Sequence, residues 1–392
     1  MLELDKKLVI ILFLTFFSFS EGKGKQPVAP NAEINEYLFG DPEATYLDDF
    51  KNGIYQVPLR GSQTDFYTKK DVKFTFKTKT SEKTFTIDNQ TSIESFDIDA
   101  SKPVKVVIHG WKNFANSPMI TSITNSYLKH HDVTIIVVDW SKLANTGYLT
   151  ARELIEDVAS AAGGFLKYLI DKNLTKLENV HLIGHSLGAH TAGLLGKDIK
   201  SKGLGKVPVI FGLDPAGPLF GKDEPGRRID KDDADLVVIL HTSTILGFTE
   251  PLGHVDFYPN FGFSQPGCGV DLLRQCAHSR AYEYFSEAIE TFNEEDEFWA
   301  VKCRSDYDEI EAENCDKQEI EDKFGEALIE KKNQINGLYY FTTNSAKPWS
   351  KGKDGTQVLD PESEYTSSNS IVLDISSLAT LIILFTLFNY FY

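Results

Sequence analysis

Val180-His-Leu-Ile-Gly184-His-Ser186-Leu-Gly188-Ala-His190 is the stretch from which the rest of the chain can be read. Val180 to Ile183 is a short apolar run of the kind that forms a buried strand, and Ala189 to Lys200 reads as a helix. Between them Gly184-His185-Ser186-Leu187-Gly188 occurs once in the chain. A serine on a tight strand-to-helix turn points its oxygen outward, and glycines two residues before and two after relieve crowding in that strained geometry. The stretch therefore predicts a nucleophile elbow carrying Ser186, and the strand, turn and helix around it separate it from an incidental turn serine.

Outward from the elbow, Val104 to Ile108, Val133 to Val138, Val207 to Leu213 and Leu236 to Leu240 are further continuous apolar runs. Strands buried on both faces need such runs, as parallel strands do when helices cover both sides of a sheet. Thr150 to Lys172 places Leu154, Ile155, Val158, Ala159, Ala162, Phe165, Leu166, Leu169 and Ile170 at helical spacing, which predicts a crossover helix. Gly163-Gly164 inside it marks close packing against the sheet. Alternation near Val72 to Phe76 and Thr84 to Ile87, and the run Leu338 to Thr342, add strands. Residues 286–330 are strongly acidic and read as a solvated surface. The fold class is α/β, with a mostly parallel central sheet flanked by helices in a single main domain.

A serine hydroxyl is a weak nucleophile at neutral pH, so it needs an imidazole to take its proton and a carboxylate to orient that imidazole. On an α/β-hydrolase sheet the partners follow in the order serine, acid, histidine. Asp214 directly follows the next buried strand, in a turn stiffened by Pro215 and Pro218. Three histidines lie beyond it: His241, His254 and His278. His278 is modestly favoured, because Cys276 two residues earlier would help hold its loop. Backbone donors are also required for the tetrahedral oxyanion. Leu187, after the serine, supplies one by construction, and Trp111 in His109-Gly110-Trp111, after Val104 to Ile108, is the candidate for the other.

The formal charge of −17 repels a phosphate backbone and no basic cluster offsets it, which excludes nucleic acid as a partner. No redox or nucleotide cofactor is implied. Lys6 and Lys7 before the apolar run Leu8 to Phe19 read as a signal peptide over 1–22, followed by an extension over 23–64. The hydrolase domain is expected over 65–347, a polar stalk over 348–370, and a hydrophobic tail over 371–392 that reads as a glycosylphosphatidylinositol signal or a membrane anchor. An extracellular or cell-surface location makes the four cysteines oxidised. Of three pairings, Cys268 with Cys276 and Cys303 with Cys315 is the simplest. Asn89 and Asn173 head glycosylation sequons.

The motifs Val107-Ile-His-Gly-Trp111, His181-Leu-Ile-Gly-His-Ser186-Leu-Gly-Ala-His190, Gly212-Leu-Asp-Pro-Ala-Gly217, Arg228-Ile-Asp-Lys-Asp-Asp-Ala234, Gly253-His-Val-Asp-Phe-Tyr-Pro259 and Cys276-Ala-His-Ser-Arg280 occur in that order. Over residues 65–347 the chain thereby resembles the animal pancreatic-type lipases, especially the insect neutral lipases and wasp-venom phospholipase A1 proteins. The resemblance implies Ser186, Asp214 and His278 as the triad and Trp111 and Leu187 as the oxyanion hole. It also implies a structural calcium ion held by Arg228 (through its carbonyl), Asp230 and Asp233. Activity on lipid acyl esters, of phospholipase A1 or triacylglycerol lipase type and through an acyl-serine intermediate, is expected at a lipid–water interface or membrane surface. Only seven residues separate Cys268 from Cys276, where pancreatic-type relatives carry a long lid, and the family's carboxyl-terminal lipid-binding domain is not expected. The alternative is a catalytically silent lipid-binding or yolk-type storage protein on the same fold.

Overall fold

In the computed structural model, residues 71–357 are described, apart from 97, 222, 223, 293, 305, 306, 312–314, 316 and 333. The expected signal segment, the extension and the hydrophobic tail lie outside the described residues. In chain order the strands are β1 (Lys73–Lys77), β2 (Glu82–Thr86), β3 (Val104–Ile108), β4 (Thr134–Asp139), β5 (Val180–Ser186), β6 (Val207–Pro215), β7 (Ala234–Leu240), β8 (Val255–Pro259), β9 (Phe298–Cys303), β10 (Lys317–Phe324) and β11 (Gly337–Phe341). Four long helices accompany them: α1 (Pro118–His130), α2 (Tyr148–Asp171), α3 (Leu187–Ser201) and α4 (Gln275–Glu290).

The eleven strands form one sheet in the order β10-β9-β11-β8-β7-β6-β5-β3-β4-β1-β2. Every pairing from β4 across to β11 is parallel, and antiparallel strands close both edges. The chain runs from β3 outward to β4 and then returns to the other side of β3 with β5, so the order reverses between β3 and β5. In open parallel sheets that reversal opens a crevice at the carboxyl ends of the strands. This is an α/β-hydrolase fold, and the elbow lies at its switch point.

Alternation along β3 shows how two layers are built from one apolar run. Val104, Val106 and Ile108 pack in the core shared with α2 and α3, while Val107 joins the core shared with α1 and α4. Successive strand side chains face opposite sides, so a strand between two helical layers is apolar on both faces, and its one polar side chain here, Lys105, is buried with a charged partner. The expected crossover helix is α2, with Ile155, Val158, Ala159, Ala162, Phe165, Leu166 and Leu169 buried. Gly163 does mark close packing, but against α3 rather than the sheet: a Cβ there would lie 1.8 Å from Asp198 Oδ2, and Gly164 meets nothing within 4 Å.

The acidic segment is less solvated than its composition implied. Glu287, Glu297, Asp322 and Glu326 are buried. Glu326 Oε2 meets Lys105 Nζ at 2.5 Å, and Tyr127 Oη donates to Glu326 Oε1 at 2.5 Å. Lys105 Nζ also donates to His181 Nδ1 at 2.9 Å, so a polar cluster sits under the amino ends of β3 and β5, away from the elbow. Packing also continues past residue 347. Trp349 is buried beneath the Arg280 guanidinium, 3.9 Å from its ring centre, and Thr342 N donates to Gly355 O at 2.8 Å. The compact unit therefore reaches Thr356. Both cysteine pairs are local, Cys268 with Cys276 and Cys303 with Cys315. Asn89 and Asn173 are exposed. Among the described residues no helix is long and apolar enough to cross a membrane.

Candidate active site

Ser186 ends β5 with φ 59 and ψ −127, a conformation that costs a non-glycine residue roughly 1–3 kcal/mol. Its neighbours are glycine for steric reasons. A Cβ on Gly184 would stand 2.1 Å from Gly188 O, and one on Gly188 would stand 2.2 Å from Ile108 O. The turn thus closes on itself and against the end of β3 at once. A Cβ on Gly110 would come within 2.7 Å of Ser186 Cβ and 3.2 Å of its Oγ, so the loop after β3 passes directly beside the serine. In the sheet register Ser186 faces Pro215, next to Asp214 on β6.

Asp214 is fully buried, also at positive φ (42°), and both carboxylate oxygens are used. Oδ2 accepts from His278 Nδ1 at 2.5 Å, while Oδ1 accepts from the Thr242 and Ser243 amides at 2.7 and 3.2 Å. The proton therefore sits on Nδ1 of His278, leaving Nε2 as an acceptor. His278 stands in the first turn of α4, behind the Cys268–Cys276 bridge, and Ala277 N bonds Asp271 Oδ2 at 2.8 Å to fix that turn. From the serine's side, His185 Nε2 donates to His278 O at 2.9 Å, with the rings 4.5 Å apart. Among the described residues no hydrogen bond joins Ser186 Oγ to His278; such bonds commonly tighten only around bound substrate.

The other two histidines are committed elsewhere. His241 is buried, with Nε2 on Asp256 Oδ1 at 3.0 Å and Nδ1 on Phe248 O at 2.7 Å. His254 Nδ1 accepts from Val237 N at 3.0 Å. The pair His241–Asp256 anchors the segment whose next two amides grip Asp214, and Phe248 N in turn donates to Pro215 O at 2.6 Å. Sequence reasoning missed this clamp. Asp256 stands in a motif noted above, but backbone amides that hold a carboxylate leave no mark on residue type.

Leu187 is the first residue of α3, where the leading N–H groups have no partner within the helix and form the positive end of its dipole. Trp111 follows Gly110 on the loop beside the serine. That loop is pinned: Trp111 Nε1 donates to Thr146 O at 2.8 Å, Lys112 N to Ala144 O at 3.0 Å, and Trp140 Nε1 to His109 O at 2.7 Å. Leu187 thus follows the serine directly, and Trp111 follows Gly110, the residue whose backbone passes beside it, on a loop held in place.

Residues 49–349 match the Lipase family. The chain belongs to that family. Among curated relatives of this Lipase-family chain, the probable phospholipase A1 magnifin of Vespa magnifica is 42% identical over 200 residues, covering 48% of this chain and 59% of that protein. A phospholipase A1 of Vespa velutina is 42% identical over 200 residues, covering 48% of this chain and 66% of that protein. Phospholipase A1 1 of Vespa affinis is 34% identical over 272 residues, covering 64% of this chain and 76% of that protein. The chain thus spans less than two thirds of the length of the first two relatives.

The expected calcium ligands of the Lipase-family chain are bound to its own cations. Lys197 Nζ donates to Arg228 O at 2.8 Å and to Asp233 Oδ2 at 2.6 Å. Asp230 Oδ1 caps its own turn through Asp232 N at 3.2 Å, and its Oδ2 lies 3.4 Å from Arg228 Nη1. Calcium requires six to eight oxygens (roughly) at about 2.3–2.6 Å, and this donor set does not fit it with an ammonium among the oxygens.

Three buried histidines give this Lipase-family chain an acid-sensitive core. His190 donates from Nε2 to Ala216 O at 2.7 Å and accepts at Nδ1 from Ile229 N at 3.2 Å, tying α3 to the loop after β6. Burial holds its pKa down at about 3. Burial, helped by Lys105, holds His181 at about 3 as well. His185 is held well below the ordinary range by burial and then by His278. All three stay neutral when folded but protonate on unfolding below about pH 6.5. Their contribution is complete above that pH and is lost as pH falls toward 3, by at most about 1.4 kcal/mol per pH unit each. Asp233 acts oppositely: burial raises it to about 6 against Lys197, so its proton favours the fold as pH falls through that value. Three groups outweigh one. The urea midpoint should therefore drop steadily from pH 7 to pH 5, and a midpoint constant over that range would contradict the assignment.

Proposed function

We propose that the protein hydrolyses acyl esters of lipids through an acyl-serine intermediate. The observation that carries this reading is the 2.5 Å bond between buried Asp214 and His278, beside a serine in strained elbow geometry. Ser186 Oγ attacks the ester carbonyl carbon as His278 Nε2 takes its proton, and Asp214 holds Nδ1–H and stabilises the imidazolium. The carbonyl oxygen becomes an oxyanion facing the amides of Trp111 and Leu187. Collapse breaks the bond to the alcohol, which leaves with the proton from His278. Water, deprotonated by the same imidazole, then releases the fatty acid and restores the serine.

The proposed substrate is a phospholipid cleaved at the sn-1 position. Support comes from the names of the relatives and from the short Cys268–Cys276 loop, which leaves little chain to form a cover. Large apolar side chains stand exposed on loops that leave the carboxyl ends of the parallel strands: Phe114, Leu219, Phe263, Val270 and Leu272, with Val270 91% and Leu272 71% exposed. Apolar groups around a site at one edge suit contact with a lipid surface. Two local disulfides support an extracellular setting, with glycans on the exposed Asn89 and Asn173.

The test is product analysis on vesicles of phosphatidylcholine carrying different acyl chains at its two positions, run beside a triacylglycerol emulsion, with a fluorophosphonate probe reporting the reactive serine. Release of the sn-1 acid with labelling of Ser186 is expected. Labelling with turnover of triacylglycerol alone would move the substrate, and no labelling of folded protein would reject hydrolysis in favour of lipid binding or storage.

A further inference from the structure

Helix α3 lays one face against the loop 228–233, and the residues of that face leave room for the loop's backbone. A Cβ on Gly193 would stand 2.5 Å from Ile229 Cα, and one on Gly196 would stand 2.4 Å from Asp233 O. His190 ties the same loop by accepting from Ile229 N at 3.2 Å. One turn beyond Gly193, Lys197 reaches across. Its ammonium has three protons, and three oxygens meet it: Arg228 O at 2.8 Å, Asp233 Oδ2 at 2.6 Å and Asp233 Oδ1 at 2.6 Å. Asp233 is 2% exposed, so its charge has little water to screen it and needs a cation.

We propose that Lys197 is a built-in counter-ion that fastens loop 228–233 to the helix following Ser186, standing where a divalent cation would otherwise be required. The oxygens a cation would use are the ones the ammonium uses, and the two cannot share them. Calcium therefore has no place on this loop while Lys197 is present, and removal of the lysine should create one. The consequence extends toward the active site, because the same face carries His190, whose other nitrogen holds Ala216 O two residues after Asp214. This inference stands whether or not Ser186 is the nucleophile.

The test uses the full chain with its disulfides intact. Thermal unfolding is followed in millimolar calcium chloride and in a chelator, with calcium binding measured by calorimetry. The wild-type midpoint should be the same in both, or should show a calcium response that Asp233→Asn leaves in place and that belongs elsewhere on this acidic protein. Lys197→Met should unfold about 4 °C or more lower in chelator. Calcium should restore at least half of that loss, with one bound ion that disappears in Lys197→Met/Asp233→Asn. If Lys197→Met does not fold, the double variant, which removes both charges, should fold. A calcium-dependent rise in the wild-type midpoint that Asp233→Asn abolishes would overturn the proposal. So would Lys197→Met with wild-type stability, or a destabilised Lys197→Met that neither binds calcium nor recovers in it.

Discussion

Ser186→Ala should lower kcat/KM for a soluble short-chain ester by roughly 10⁵-fold or more while leaving the fold unchanged. The reason is that one oxygen is removed and nothing else moves. The serine side chain is only partly buried, and alanine must adopt the same positive φ at the same cost. Ser186→Gly separates chemistry from strain. It should be equally inactive but more stable by about 1 kcal/mol, because glycine adopts this conformation without penalty. Asp214→Asn should cost about 10⁴-fold, since an amide facing Nδ1 favours the wrong tautomer of His278. Retained turnover by a purified, correctly folded Ser186→Ala protein would remove the serine from the mechanism. Unfolding of either serine variant would instead show that the elbow depends on contacts made by Oγ.

Lys105→Met should destabilise the fold by about 3–5 kcal/mol in urea unfolding. Burial would raise the Glu326 carboxyl, but Lys105 and the Tyr127 hydroxyl outweigh it and hold the group below its ordinary range, so the carboxylate is charged. Burial in turn pulls the Lys105 ammonium down, with Glu326 opposing. Removing the lysine strands a charge at a site that is 9% exposed. Lys105→Met/Glu326→Gln removes both charges and should recover most of the loss, giving a coupling energy of about 1 kcal/mol or more. Ester turnover per folded molecule should not change, since the cluster lies at the opposite end of β3 and β5 from Ser186. A coupling near zero would mean that the pair acts independently and that the cluster adds no stability of its own.

The glycines about Ser186 and the apolar runs of β3 to β7 were legible because each answers to a short-range demand. A Cβ at Gly184 or Gly188 meets backbone within a few residues or on the adjoining strand end, and a strand between two helical layers has no position for water. Asp214 was legible for the same reason, standing directly after the apolar run that ends at Leu213.

The partner histidine was not legible from local physics, and only the family motif Cys276-Ala-His-Ser-Arg280 singled out His278. His241, His254 and His278 all follow Asp214, and local sequence favoured His278 only slightly; the packing of α4 across one face of the sheet brings its ring to Asp214 and leaves His241 to Asp256. Lys105 and Glu326 are 221 residues apart, and Lys197 lies 36 residues from Asp233, so neither pair could be read from neighbours in the chain. Steric and periodic requirements act over a few residues and are written locally. Charge pairing acts through space, and its partners are known only once distant loops have been folded together.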